Sequence, residues 1–351
     1  MTLTTVSHTL PLTLMNRSRV MPYPGRILVH ESQHVKATDT IGNCLLPGKH
    51  LRIDLCDALG VKSVEKCMEL VERKSGDTLV KGDIIAQTKG ILKRIVRAPS
   101  DGFVISVENG MLLLEVGNET FDLKAGYAGI IHEIQPEMGV VIEISGGLIQ
   151  GIWGNNRINQ GILASSNQNP MLEFSRSSLD VSMRGSIWLG TYCLHEDALL
   201  AAAELPLRGL ILSSMSAELI PTALQMPFPI ILLEGFGTIT LNQVAYKLLT
   251  SNDKREICIN ASQWDKIKGD RPEIVIPLPT EGKATEDIVE LADDQTIHVT
   301  TLPFAGKIGT IKRIHPTADL LASQIRAPFV EAQTEGGEVM NLPFQNFEVM
   351  G

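Results

Sequence analysis

The sequence predicts a multi-domain, mostly β chain with an α/β middle. Short β-branched runs punctuated by Gly, Asn-Gly and Pro turns fill its first and last parts. Between them, buried-type apolar runs alternate with segments of helical periodicity. Two polar stretches of linker composition, ASSNQNPMLEFSRSS from residue 164 and PTEGKATEDIVELADDQ from residue 279, set off three blocks at 20–163, 184–279 and 295–351.

The bulk composition fits that organisation. With 351 residues, 44% hydrophobic and 20% charged, the chain is long enough to bury more than one core without metals or disulfides. A formal charge of −9 opposes a protein that works by non-specific attraction to phosphate backbones, so a nucleic-acid partner is not favoured and a protein partner is expected. Five scattered cysteines without a CxxC suggest neither a disulfide framework nor a zinc knuckle, and point to the reducing cytoplasm. MTLTTVSHTLPLTLMNRSR lacks a basic region ahead of a continuous apolar one, so no secretion signal is expected. The most apolar run, ALLAAAELPLRGLILSSM, is interrupted by Glu204, Pro206 and Arg208 short of the roughly 20 residues a membrane helix needs.

In the first block, GFVISV from Gly102 and GIIHEI from Gly129 share Gly-x-[Val/Ile]-x-x-[Val/Ile] with GTIKRI from Gly309. Each opens a strand on a residue free to turn. ENG and PEMG then lead into the second strands MLLLE and VVIEI, and Asn109-Gly110 is a type I′ hairpin signal. Shared hairpin physics is the plainer reading of the repetition, with internal duplication as the alternative.

GDTLVKGDIIA followed by RAPSDGFV is similar to the biotinyl/lipoyl-type barrel-sandwich hybrid, whose half-motifs read G-x-x-V-x-x-G-D-x-[LI]-A and [AS]-P-x-D-G-x-V. SQHVKATDTIG echoes the first half, with Val35, Asp39 and Ile41 where Leu79, Asp83 and Ile85 fall. The resemblance covers about 26–117. In that family the modified lysine stands seven residues before the alanine of Ala-Pro, and here that residue is Ile91, with Lys89 and Lys93 two places to either side. The resemblance therefore implies the unmodified form of the fold, a rigid spacer or docking surface with no cofactor. Within the inserted 46–74 stretch, Val64, Cys67, Met68 and Val71 recur at helical spacing and predict a packing helix from about Ser63.

HESQH at 30–34 matches the zinc-peptidase pattern His-Glu-x-x-His. That chemistry needs a helix, which alone brings residues i and i+4 to one ion with the glutamate as base. PGRILV before it reads as a strand, and the half-motif places 30–34 on the turn KSGDT. In extended chain four residues span roughly 13 Å, so no metal is expected there and a zinc peptidase is the least favoured reading.

In the middle block GSIWLGTYC, RGLILSS, PFPIILLEG and REICINAS read as strands, and EDALLAAAEL, SAELIPTALQM and TLNQVAYKLL as helices. The alternation predicts a Rossmann-like parallel sheet, which binds ligands beyond the carboxyl ends of its strands. Thr191, His195 and Glu196 follow the first strand, Ser213 and Ser214 the second, and Glu234, Gly235 and Gly237 the third, with Thr240 placed to cap the next helix. These are the candidate ligand-binding residues. No Walker loop, Gly-x-Ser-x-Gly elbow or complete Gly-x-Gly-x-x-Gly accompanies them, so no catalytic residue is assigned and ordinary β-to-α turns are the plainer reading.

At the end, IHVTTLPFAGKIGTIKRI and PFVEAQTEGGEVMNLPFQNFEVMG resemble the KOW/SH3-like β-barrel of transcription elongation factors and ribosomal proteins, through Gly306, Gly309, Ile311, Ile314 and the TEGGEV hairpin. The resemblance implies contact with transcription or translation machinery. Four cations against five anions over 296–351 favour protein docking over RNA. The candidate partner-binding cations are Lys89, Lys93, Arg94 and Arg97 in KGILKRIVR, with Lys307, Lys312 and Arg313 near the end. The acidic linker makes the final barrel an expected semi-independent unit.

The function expected from sequence is a non-catalytic scaffold or interaction factor with a small-ligand site in the α/β block. The alternative is an enzyme whose active site lies at those strand ends. Intact-mass measurement on protein from its native host should show no biotin or lipoate on Lys89 or Lys93; either adduct would restore the carrier reading.

Overall fold

The computed structural model describes residues 3–90, 93–117, 119–165, 172–265, 270–280 and 288–350. Ile91, residues 166–171 of the first polar stretch and 281–287 of the second lie outside the described residues. The chain is mostly β, with 48% strand and 13% helix. Among the described residues no helix is long and apolar enough to cross a membrane. Two compact units form, a larger one of Met1–Val20, Leu28–Ile41 and Lys124–Gly351 and a smaller one of Met21–Ile27 and Gly42–Leu123.

The smaller unit holds a sheet in the order Lys49–Asp54, Met111–Val116, Gly102–Glu108, Thr78–Leu79. Its central hairpin closes where Glu108 pairs with Met111, and Asn109 (φ 51°) and Gly110 (φ 75°) supply the two positive-φ positions that a type I′ turn requires. A short helix, Leu55–Leu59, precedes the expected one, which runs Val64–Met68 with the Ser63 hydroxyl accepting from Lys66 N at 3.4 Å. Their Leu55, Leu59 and Cys67 close a core with Leu79, Ile85, Val104, Leu112 and Leu114. The helix ends before Val71 because that residue bridges Ala86 as extended chain.

The half-motif seen in sequence recurs as a matched set of hydrogen bonds. In the larger unit the Asp39 carboxylate accepts from Lys36 N at 2.9 Å, Ser32 N donates to Ile131 O, Ile131 N to Gln33 O, Ala125 N to Asp39 O, and Gly129 pairs with Val35. In the smaller unit the Asp83 carboxylate accepts from Val80 N at 3.1 Å, Gly76 N donates to Val104 O, Val104 N to Asp77 O, Ala98 N to Asp83 O, and Gly102 pairs with Leu79. The buried Val35 and Ile41 of one copy answer to Leu79 and Ile85 of the other. In sequence, Gly42–Leu123 of the smaller unit stands between the two halves of the larger unit's copy. The equivalence also decides HESQH: Ser32 takes φ 64° in a turn and only His34–Val35 is strand, so no helix carries the two histidines.

The larger unit is built on an eleven-stranded sheet. Its order is Trp153–Gly154, Ile230–Phe236, Gly209–Met215, Ser186–Leu189, Ile158–Ser165, Glu256–Asn260, Glu273–Pro277, Gly139–Gln150, Gly129–Gln135, His34–Val35, with Thr9–Val20 also paired to Gly139–Gln150. Four strands, Ile158–Ser165, Ser186–Leu189, Gly209–Met215 and Ile230–Phe236, run parallel. Every residue of Gly209–Met215 is buried, as a parallel strand covered on both faces must be. Leu210 and Leu212 face one core and Ile211 the other. Helices Glu196–Glu204, Ile220–Gln225 and Gln243–Ser251 follow successive parallel strands, close to the expected positions.

The compact division differs from the expected block boundaries. Ile158–Ser165 pairs with Ser186–Leu189, and Gly139–Gln150 pairs with Glu273–Pro277, so 124–163 and 184–279 share one sheet. REICINAS, expected among the parallel strands, supplies Glu256–Asn260, which runs antiparallel to Ile158–Ser165. A seven-stranded sheet takes in Ile288–Glu290, Leu3–Ser7, Phe347–Met350, Thr296–Val299, Ile308–Leu320, Arg326–Thr334 and Val339–Pro343, in that order.

The C-terminal segment 296–351 is not the semi-independent piece that its linker suggested. Leu3–Ser7, from the other end of the chain, pairs in parallel with Phe347–Met350, and His298 and Glu348 place buried polar groups against Glu234 and Arg271. Removing 296–351 takes these partners from Glu234 and Arg271 and leaves strand Leu3–Ser7 without its parallel partner, an open edge. The truncated chain should therefore aggregate or lose its cooperative thermal transition; a soluble monomer with native circular dichroism would overturn this view of the C-terminal segment.

Candidate functional site

Glu234 is the sequence candidate with the most developed surroundings. It lies within an apolar strand, Ile230–Phe236, two residues before its end, and is 2% exposed, where a carboxylate needs partners. Its Oε1 accepts from Asn242 N at 2.9 Å and Asn242 Nδ2 at 2.7 Å, and its Oε2 lies 2.7 Å from His298 Nε2. Asn242, rather than the expected Thr240, caps helix Gln243–Ser251, its Oδ1 accepting from Ala245 N at 2.9 Å. Burial alone would lower the His298 imidazole, but the hydrogen bond and charge of Glu234, helped by the charge of Glu348, raise it above its ordinary value against the opposing Arg271.

Glu348, opposite His298 in the strand register, forms a two-pronged pair with Arg271, NH1 to Oε1 at 3.0 Å and NH2 to Oε2 at 2.9 Å. The Arg271 guanidinium also lies 4.4 Å from the Trp264 ring centroid.

A second buried carboxylate, Glu273, receives Arg17 NH2 at 2.8 Å, Tyr127 OH at 2.7 Å and Gln150 Nε2 at 2.8 Å. Burial would raise Glu273, yet the Arg17 charge and these hydrogen bonds outweigh it and hold the carboxyl below its ordinary value. Tyr127 is held well above the ordinary phenol value, by burial first and then by the Glu273 charge, so it stays protonated and donates. Beside this group opens a polar cavity of about 170 Å³, walled chiefly by Arg17, Arg19, Tyr127, Asn260, Arg271 and Glu273.

The other strand-end candidates have separate fates. The Thr191 hydroxyl donates to Leu172 O, and Glu196 accepts from Thr222 Oγ1 at 2.5 Å. The His195 side chain is 70% exposed, 3.8 Å from Glu173. Ser214 Oγ lies 2.9 Å from the Gly237 and Ile239 carbonyls and accepts from Ile239 N, which pins the loop that Gly235 (φ 108°) and Gly237 (φ 116°) turn. Ser213 Oγ is buried without a hydrogen-bond partner. His195, Ser213 and Glu234 thus form no nucleophile, base and orienter set. Burial pushes the Cys193 and Cys258 thiols up to about 12, which suits packing rather than nucleophilic attack.

The basic candidates stay at the surface. Lys89, Lys93, Arg94 and Arg97 are exposed in the smaller unit, and Lys312 and Arg313 on strand Ile308–Leu320 of the larger one. Lys307 is paired with Glu338. Among the described residues no cluster of three or more His, Cys, Asp or Glu is arranged to hold a metal ion. No protein-family model and no curated protein matches this chain.

The sequence reading passed over Arg17, Arg19, Tyr127, Asn260, Arg271 and Glu273. The available signal was spacing: Arg17 and Arg19 in MNRSRV lie two apart on a strand and so share a face.

Because His298 is raised in the folded state, its contribution to stability is complete below 6.5, the ordinary histidine value, and is lost as pH rises through the folded value. Urea midpoints of the wild-type chain should therefore fall as pH rises from 6.5, and His298→Gln should remove that slope. An unchanged slope in the variant would assign it to another group.

Proposed function

We propose that the chain is a non-catalytic interaction factor, a rigid β scaffold that docks a protein partner through exposed basic strands. The observation that carries this reading is the fate of its reactive groups. Glu234, His298, Glu273 and Tyr127 are consumed in fixed buried bonds, the strand-end serines and His195 do not assemble, and Cys193 and Cys258 are held protonated. Catalysis needs a group free to exchange a proton or form a bond, whereas a scaffold needs such networks closed.

On the same reading, the repeated half-motif is a pair of barrel-sandwich-hybrid elements lacking the carrier lysine. The four parallel strands with their helices are a Rossmann-like layer, and 295–351 is a KOW/SH3-like barrel. Support for docking comes from Lys312 and Arg313, exposed on the strand that continues to the exposed Leu320, with exposed Ile325 beyond the turn. Exposed charge set beside apolar side chains suits steering followed by contact with an acidic protein surface.

Lys312→Glu combined with Arg313→Glu should leave the fold intact and reduce recovery of the main partner in a pull-down from the native host. The loss should be greatest at low salt, since exposed charges are screened within about 10 Å at 0.1 M. Unchanged recovery at every salt concentration would move the docking surface to Lys89, Lys93, Arg94 and Arg97.

A further inference from the structure

We infer that the polar cavity walled by Arg17, Arg19, Tyr127, Asn260, Arg271 and Glu273 is a binding site for a compact oxyanion, a carboxylate or phosphate group. The inference does not depend on the docking reading, because it rests on other residues.

Two residues that line the cavity each carry a buried donor without a hydrogen-bond partner. Asn260 is 1% exposed; its Oδ1 accepts from Ser262 Oγ at 2.7 Å, and its Nδ2 is unpaired. The Ser262 bond orients the amide and leaves the NH2 group as the end without a partner. Arg271 is held by its terminal nitrogens on Glu348, and its Nε is likewise buried and unpaired. Native structures rarely leave buried donors unpaired, and two on one small cavity point to an acceptor that fills it.

The charges agree with that polarity. Arg17 is matched by Glu273, and Arg271 by Glu348. Arg19 donates from Nε to Lys124 O at 3.3 Å and has no ion-pair partner among the described residues. Of the two carboxylates on the cavity, Glu273 is filled by three donor side chains, and Asp270 is exposed at the rim, where water screens it. The charge left at the cavity is that of Arg19, which favours an anion over a metal cation.

Gly126 keeps the space open. It adopts φ +80°, and a Cβ built there would lie 3.0 Å from Asn260 Nδ2 and 3.4 Å from Arg19 Nε, so a side chain would intrude where these two donors approach. At about 170 Å³ the cavity is smaller than the roughly 300 Å³ of drug-sized pockets, and suits a carboxylate or phosphate group rather than a whole nucleotide.

The test is titration of the full chain with inorganic phosphate and, separately, with acetate at constant ionic strength, against sodium chloride as reference. Binding is read by calorimetry and by the side-chain amide resonance of Asn260. One of the two anions should bind saturably and shift that resonance, and which one does so names the source of the oxyanion. Arg19→Gln, at a half-exposed position, should weaken it at least tenfold with little change in melting temperature in chloride. Gly126→Ala should abolish it; should that variant fail to fold, Arg19→Gln carries the test. Absence of saturable binding beyond chloride for both anions, or undiminished binding by Arg19→Gln, would overturn the inference and assign the cavity to water.

Discussion

The pair of Glu234 and His298 is the interaction on which the larger unit depends. A carboxylate and an imidazole, both buried, are joined across 64 residues of sequence at 2.7 Å. Desolvating either alone would cost more than a typical hydrogen bond returns, so each requires the other in place. Glu234 belongs to the eleven-stranded sheet and His298 to the seven-stranded one, so neither sheet reaches its buried state without the other. Arg271 and Glu348 repeat the arrangement between the segment ahead of Glu273–Pro277 and the last strand. Two such links tie the seven-stranded sheet to the eleven-stranded one.

The same physics explains why the polar interior is ordered around carboxylates. Glu273 draws Arg17 from the second strand, Tyr127 from the loop before Gly129–Gln135 and Gln150 from the end of a long strand. Each donor comes from a different part of the chain, and each loses side-chain freedom to reach it. Networks of this kind gain little over apolar packing but specify one arrangement of strands, since a register slip would leave a buried charge unpaired. Asn260 and Arg271 each keep one buried donor outside these bonds.

The repeated half-motif follows a local rule instead. An aspartate four residues after a buried aliphatic residue turns the chain by accepting from the backbone three residues earlier, at Asp39 and again at Asp83. The turn delivers its strand to the same partner type each time, Val35 to Gly129 and Leu79 to Gly102. Glycine suits both places because a Cβ would lie 2.4 Å from Glu143 O at Gly129 and 2.3 Å from Glu115 O at Gly102.

What the sequence determined by itself was everything governed by neighbours along the chain. The mostly β character, the Asn109-Gly110 turn, the Ser63 cap, the helices after three of the parallel strands and the non-helical state of HESQH all follow from local geometry and periodicity. Of the site residues, Glu234 could be singled out, because its place after an apolar run and before Gly235 is also local. Tertiary structure alone decided that 124–163 shares a sheet with 184–279, that Leu3–Ser7 joins the seven-stranded sheet, and that Arg19, Asn260 and Arg271 line one cavity. Strand pairing and charge burial are settled between residues distant in sequence, 64 positions apart for Glu234 and His298 and 256 for Arg17 and Glu273, where every strand edge offers the same backbone groups and only the completed core tells one partner from another.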